Sequence, residues 1–349
     1  MGHSRKYNVA VVGATGNTGM KTLQILEERD FPAGNVTAIA SERSIGKSLF
    51  FGDGEIPVRK FEDVDFSRID ITFFCAGGGV SRRYAESVTK SDCVVIDKTS
   101  YFRLNPKVPL IVPEINSAQL AEGALLGIVS NPNCVAIPLA MTLKALSAVS
   151  QVKRAVVSTY QSVSGAGRLG VDELYSQTKS IVAAGAVKPD VFSKQIAFNV
   201  IPAIGDFYQS GTTDEEDKIS AEVRKILKAD VKVAVTCVRV PVFVGHSMSV
   251  AAEFSAPVAE NNARRAFESF EGVLVVDRRG EKGVFATPLD VQGEDGVYVS
   301  RIRADPTTPA GLLYWIAADN LRKGAALNSV QIAELMISLD PSLKLFQRR

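Results

Sequence analysis

Apolar residues recur in two rhythms along this chain, and the change between them near residue 132 divides it. In the first part, short continuous apolar runs alternate with stretches whose apolar positions recur at helical spacing. The runs predict buried strands at 6–12, 36–40, 69–75, 93–97, 110–112 and 127–129. A helix is predicted from the glycines after residue 12 through residue 28, and another over 136–149. Strand and helix in alternation predict a parallel sheet covered on both faces. From residue 153 the strands lengthen and become β-branched, at 154–161, 231–241, 246–254, 273–276 and 297–304. They are compatible with antiparallel pairing and a few helices, which predicts an α+β second domain. Two final helices, 311–323 and 329–339, are expected to return to the first domain. With no internal repeat and no low-complexity linker, the expected division is 5–132, completed by C-terminal helices within 325–345, and 133–324.

Composition narrows the class. A chain of 349 residues, 46% apolar and 22% charged, has material for two substantial cores. A formal net charge of +2 and the absence of a dense Lys/Arg run give no footing for nucleic acid or a membrane surface. Residues 121–129 are too short to span a bilayer, and no signal-peptide pattern opens the chain. Met1-Gly2-His3-Ser4 reads as a cloning leader; Lys6 stands where a myristoylation start wants Ser or Thr. Four cysteines without pairable spacing point to a reducing compartment, hence the cytoplasm. His246 is the only histidine beyond the leader, and no His/Cys/carboxylate cluster has metal-ligand spacing.

Gly13-x-x-Gly16-x-x-Gly19 follows a predicted strand and opens a helix, the arrangement of a Rossmann-type nucleotide site. Glycine lets backbone approach a pyrophosphate, and the helix N-terminus stabilises its charge. A plain tight turn is the competing reading. At the end of the second strand stand Ser41, Glu42 and Arg43. A hydroxyl and a guanidinium suit a ribose 2′-phosphate and therefore NADP, whereas Glu42 favours a free hydroxyl.

Ser130-Asn131-Pro132-Asn133-Cys134 delivers one cysteine to a predicted helix start, where unpaired N–H groups and the helix dipole favour thiolate. Cys75, Cys93 and Cys237 fall at strand ends or interiors, where cysteine is ordinarily a small buried hydrophobe. His246 opens a strand behind Gly245 and is the available imidazole if Cys134 needs a base or a leaving group an acid. Arg239, seven residues earlier, is expected on the neighbouring strand, where it could hold an anion. Arg103 lies in a loop after a parallel strand, at the sheet edge where ligands gather; a solvated surface arginine is the alternative. Ser164-Gly165-Ala166-Gly167 could approach a flat ring, although a flexible turn explains it as well. Glu215 and Lys218 read by spacing alone as a solvated i,i+3 pair.

Taken together, these motifs resemble the aspartate-semialdehyde dehydrogenases over residues 6–340. The segments carrying the resemblance are 13–19, 40–44, 130–134, 161–167, 239–246 and the tail Asp319-Asn320-Leu321-Arg322-Lys323-Gly324-Ala325-Ala326. The resemblance implies a fold like glyceraldehyde-3-phosphate dehydrogenase, with a catalytic and dimerisation domain, and a homodimer or tetramer. It implies NADPH-dependent conversion of aspartyl phosphate to aspartate semialdehyde, on the way to lysine, diaminopimelate, threonine, methionine and isoleucine. Cys134 would be the nucleophile, His246 the acid/base, and Gln161 the residue orienting the acyl group. Arg239 would bind the α-carboxylate, Glu215 the α-amino group, and Arg103 with Lys218 and Asn133 the phosphate. NADP would meet Gly13, Thr15, Gly16, Asn17, Thr18, Ser41, Arg43, Ser164, Gly165 and Asn320. The family often has glutamine at this last position, and Val135-Ala136 replace its small hydroxyl residues while keeping the main-chain donors. The nearest alternative of the same architecture is N-acetyl-glutamyl-phosphate reductase. A nucleotide-sensing protein without catalysis is the alternative of another class.

Overall fold

In the first strand, β1 (Tyr7–Val12), side chains alternate between two cores, and the alternation builds a three-layer unit. Tyr7, Val9 and Val11 enter one buried cluster, Ala10 and Val12 another. The computed structural model describes residues 5–278, 280 and 282–348; the expected leader at 1–4 lies outside them. Two compact units result: the described residues of 5–133 with 325–348, and those of Cys134–Gly324.

In the first unit, β1 is followed by α1 (Asn17–Glu28), β2 (Ala33–Ile39), β3 (Ser48–Phe51), β4 (Gly54–Arg59), β5 (Ile71–Phe74), α2 (Gly78–Thr89), β6 (Val94–Asp97), the short α3 (Pro113–Asn116) and β7 (Ile128–Ser130). The seven strands lie in the order β3-β4-β2-β1-β5-β6-β7, parallel throughout except where β3 folds back on β4. The chain leaves β1 first to one side and then to the other, so β1 and β5 flank a topological switch point. Helix α1 and the C-terminal helix Leu327–Leu339 share one face with β1, and α2 packs on the other. Arg29 holds Glu334 through two hydrogen bonds of 2.7 Å, and the Tyr7 hydroxyl donates to Pro341 O at 2.8 Å. Residues 110–112, expected as a strand, form only a bridge from Leu110 to Ser130. The β3–β4 hairpin carried no advance signal beyond Gly52 and Gly54 in its turn.

The second unit runs α4 (Ala136–Ser147), β8 (Val152–Gln161), α5 (Gly167–Val182), α6 (Asp214–Leu227), β9 (Lys232–Arg239), β10 (His246–Phe254), α7 (Glu260–Glu268), β11 (Val273–Val275), β12 (Val297–Ala304) and β13 (Gly311–Ala318). Its six strands take the order β11-β12-β13-β10-β8-β9, and α4, α6 and α7 cover one face. Three expectations need correction. The sheet is mixed, with β8–β9 and β11–β12 parallel. Residues 311–318 are a strand, because an apolar run buried on both faces has no periodicity to separate it from a helix. They pair with β10 and β12, while the Trp315 indole donates to Ala286 O at 3.0 Å. Arg239 does not neighbour the strand of His246, since β8 lies between β9 and β10.

Candidate active site

The loop after β1 folds under the ends of β2 and β5. Gly13 N–H and Ala14 N–H both donate to Ile39 O, at 2.8 and 3.0 Å. Gly13 has φ +84°, and a Cβ there would lie 2.9 Å from Ala76 N; one on Gly19 would lie 2.2 Å from Gly13 O. The glycines are therefore required by contact with backbone. Gly16 caps α1 without a side-chain hydrogen bond, so no side chain of the cap takes up the N–H groups of the first turn. A cleft of about 680 Å³ opens here, lined by Gly13, Thr15, Gly16, Ser41, Lys60 and Arg83 among others. Its volume, glycine cradle and helix start fit a dinucleotide. The Glu42 carboxylate is ion-paired to Lys60 at 3.0 Å, which offsets its charge. Arg43 is exposed on the turn beside Ser41. Cys75 follows β5, and Lys98 is buried below the loop with Nζ 2.5 Å from Thr22 Oγ1. Burial holds the Lys98 amine below its ordinary value. Arg103 is also buried, donating to Asn131 O at 3.0 Å and Lys98 O at 2.7 Å. Asn133 is the buried end of the same unit.

In the second unit three strand ends meet. Gln161, the last residue of β8, pairs with Arg239, the last of β9. On the other side of β8, Tyr160 pairs with Ser247, which sets His246 at the start of β10 beside the same end. Gln161, Arg239 and His246 are between 1% and 7% exposed. Gln161 Nε2 reaches the Glu215 carboxylate at 3.4 Å, and its Oε1 accepts from Thr159 at 3.0 Å. Lys218 is ion-paired to Asp214, one turn back on α6. Arg239 Nη1 donates to Ser162 O at 2.7 Å. Burial lowers the affinity of its guanidinium for the proton; the charges of Cys134 and Glu215 act the other way. A Cβ on Gly165 would stand 2.9 Å from Arg239 Nη1 and 3.4 Å from His246 Nε2, so glycine there leaves both groups room.

Cys134 sits two residues before α4, partly exposed. Gly324 packs on it: a Cβ there would be 3.1 Å from Cys134 Cβ. Burial pushes the Cys93 thiol up to about 12 and raises that of Cys237 as well, as expected of structural cysteines. His246 is pushed down to about 3 by burial and by the Arg239 guanidinium, against a smaller opposing pull from the Gly245 backbone. Asn320 and Ser164 form its surround. The Asn320 Oδ1 accepts from Gly245 N–H at 2.9 Å and from the hydroxyls of Ser162 and Ser164 at 3.1 and 3.2 Å.

A family model described as "Semialdehyde dehydrogenase, NAD binding domain" matches residues 8–123, and one described as "Semialdehyde dehydrogenase, dimerisation domain" matches residues 143–323. Aspartate-semialdehyde dehydrogenase of Rickettsia bellii is 51% identical over 334 residues, 96% of this chain and 98% of that protein. Its counterpart in Aquifex aeolicus is 43% identical over 95% of this chain and 98% of its own length. The chain belongs to the aspartate-semialdehyde dehydrogenase family. Membership makes it an oxidoreductase of amino-acid biosynthesis with a nucleotide-binding Rossmann-type unit. Among solved structures, aspartate semialdehyde dehydrogenase II of Vibrio cholerae, complexed with ASA, matches with a TM-score of 0.93 at 41% identity, covering 96% of this chain and 99% of that one. Within this aspartate-semialdehyde dehydrogenase fold, Lys60, Arg83, Ser162 and Gly324 were not singled out from sequence. Ser162 and Gly324 both lie inside segments that carry the resemblance. Lys60 directly follows a strand, the one signal that could have drawn attention to it.

Proposed function

We propose that this protein catalyses NADPH-dependent reductive dephosphorylation of L-aspartyl 4-phosphate to L-aspartate 4-semialdehyde through a thioester on Cys134. The observation that carries the reading is the meeting of Gln161, Arg239 and His246 at one end of the second sheet, with Glu215 hydrogen-bonded to Gln161. An amide, a guanidinium, an imidazole and a carboxylate match an amino-acid substrate: a cation for its α-carboxylate and an anion for its α-amino group. A free amino group is what separates this substrate from an N-acetylated glutamyl phosphate, and Glu215 favours the former.

Cys134 Sγ attacks the β-acyl carbon, forming C–S as the bond to phosphate breaks. Main-chain N–H groups at the start of α4 stabilise the oxyanion, an effect worth ~3 kcal/mol for one donor. Arg103, Asn133 and Lys218 are assigned to the phosphate. Gly13, Thr15, Gly16, Asn17, Thr18, Ser41 and Arg43, together with Ser164, Gly165 and Asn320, would hold NADPH, which when bound would supply the hydride for reducing the thioester. His246 serves the oxygen of the tetrahedral species as Cys134 is released. The exposed Leu169, Tyr175, Val182 and Phe198 of the second unit support assembly into a homodimer or tetramer. Among the described residues no helix is long and apolar enough to cross a membrane, and four free cysteines suit the cytoplasm. The test is phosphate-dependent oxidation of aspartate semialdehyde with NADP. Cys134→Ser should lose at least about 10³-fold in kcat; near-normal turnover by that variant would sink the proposal.

A further inference from the structure

His246 is the one histidine among the described residues, so imidazole chemistry in this site concerns a single ring. That ring is held from behind. The main-chain N–H of Ser162, the first residue past β8, donates to Nδ1 at 3.1 Å. A backbone amide can only donate, so Nδ1 must offer its lone pair, and a neutral ring then carries its hydrogen on Nε2. A proton on Nδ1 would set two N–H groups against each other around a side chain that is 1% exposed. The Ser162 hydroxyl lies 3.1 Å from both Nδ1 and Asn320 Oδ1 and can donate to either, so it adapts to the tautomer that the main-chain N–H sets. Asn320 is in turn fixed by Gly245 N–H and by Ser164, to which its amide donates at 2.9 Å. Nε2, on the other side of the ring, has no hydrogen-bond partner among the described residues and borders Gly165.

We propose that Ser162 is a positioning residue that presents His246 as a neutral Nε2–H hydrogen-bond donor, and that the ring works in that form rather than as an imidazolium acid. This rests on the roles of Cys134 and His246 given above. The electron count is consistent with it. Thiolate attack forms C–S and breaks the acyl C–O bond; the electron pair leaves on phosphate, which takes the one proton the overall reaction consumes. Once hydride has been added at carbon, the alkoxide pair re-forms C=O, the C–S bond breaks, and its electrons return to sulfur. No proton has to pass through His246 at either stage. What both oxyanions require is a donor. The charged group beside the ring is the Arg239 guanidinium, at the end of β9, and it also disfavours a second positive charge.

The test uses the full chain labelled with 15N-histidine, without substrate, followed by long-range proton–nitrogen correlation between about pH 5 and 8. His246→Asn separates the signals of His246 from those of His3. The expected spectrum has an unprotonated Nδ1 and a protonated Nε2, unchanged across the range. A ring protonated on Nδ1 alone, donating to the Gly245 carbonyl, would overturn the proposal, and so would an imidazolium titrating near ~6.5. Replacing the amide of residue 162 by an ester removes the N–H while keeping its shape. Both tautomers should then appear, with kcat down about tenfold and KM unchanged; a single Nε2–H form persisting in that variant would remove Ser162 from the role. The tautomer is read with no turnover, so failure of the wild type to oxidise aspartate semialdehyde would sink the assigned reaction and leave this measurement standing.

Discussion

His246 illustrates how a residue's surroundings, more than its type, set what it can do. Its ring is pushed down to about 3 in the folded chain, whereas an exposed histidine titrates near ~6.5. Between those values the unfolded chain binds a proton that the native chain does not. Acidification therefore favours unfolding, by about 1.4 kcal/mol per pH unit below ~6.5, and the contribution is absent above it. His246→Gln should lose about 2 kcal/mol less than the wild type between pH 7 and pH 5. Urea unfolding at both pH values measures the difference, and identical pH dependence in the two proteins would contradict it. The placing of Cys134 before a helix and of His246 at a strand start was legible in sequence, because each stands at an element's end, whereas Gln161 entered only through the family resemblance. Ser162 was not legible, because its effect on His246 comes from a main-chain N–H that nearly every residue possesses. Lys60 was hidden for another reason: it reaches Glu42 only through the pairing of β2 with β4, which links residues 18 apart in the chain.

At the scale of elements, α6 is the piece that brings Glu215 to Gln161. Thr213 caps it: its N–H donates to Glu216 Oε2 at 2.9 Å, and its hydroxyl accepts from Glu216 N–H at 3.4 Å. The other Glu216 oxygen accepts from Cys237 N–H at 2.9 Å, fastening the helix start to β9. Thr213→Ala should cost about 1 kcal/mol of stability and raise KM for the amino-acid substrate severalfold, with KM for the nucleotide unchanged. An equal rise in both constants would mean that the cap does not act through Glu215. β10 and β12 were legible in the sequence, their ends matching the apolar pattern to the residue, whereas the Thr-x-x-Glu spacing behind this cap was not read there. The strand at Gly311–Ala318 was misread because Leu312, Tyr314 and Ile316 are buried on one face while Ala317 is buried on the other. Burial on both faces erases the alternation by which a strand is recognised. The parallel placement of β9 on β8 was likewise unreadable, since either direction would bury the same residues.

For the whole molecule, the notable feature is that the first unit is completed from the far end of the chain. Leu327, Val330, Ala333, Met336, Leu343 and Phe346 lie in the same buried cluster as Val9 and Val11 of β1. Phe346 is fully buried, so Phe346→Ala should destabilise that unit by about 3–5 kcal/mol. Amide hydrogen exchange should accelerate in β1 and β6 while β10 keeps its protection; uniform acceleration in both sheets would contradict the assignment of Phe346 to the first core alone. During synthesis the same arrangement becomes a matter of time. When β7 has emerged, about 190 residues, Cys134–Gly324, must still be translated before the C-terminal helix that shares one face of the sheet with α1 begins. At about 5–20 residues per second that interval is about 10 to 40 s. For that time the nucleotide-binding half is a nascent chain with part of one apolar face open beside α1, the interval in which a chaperone has something to hold.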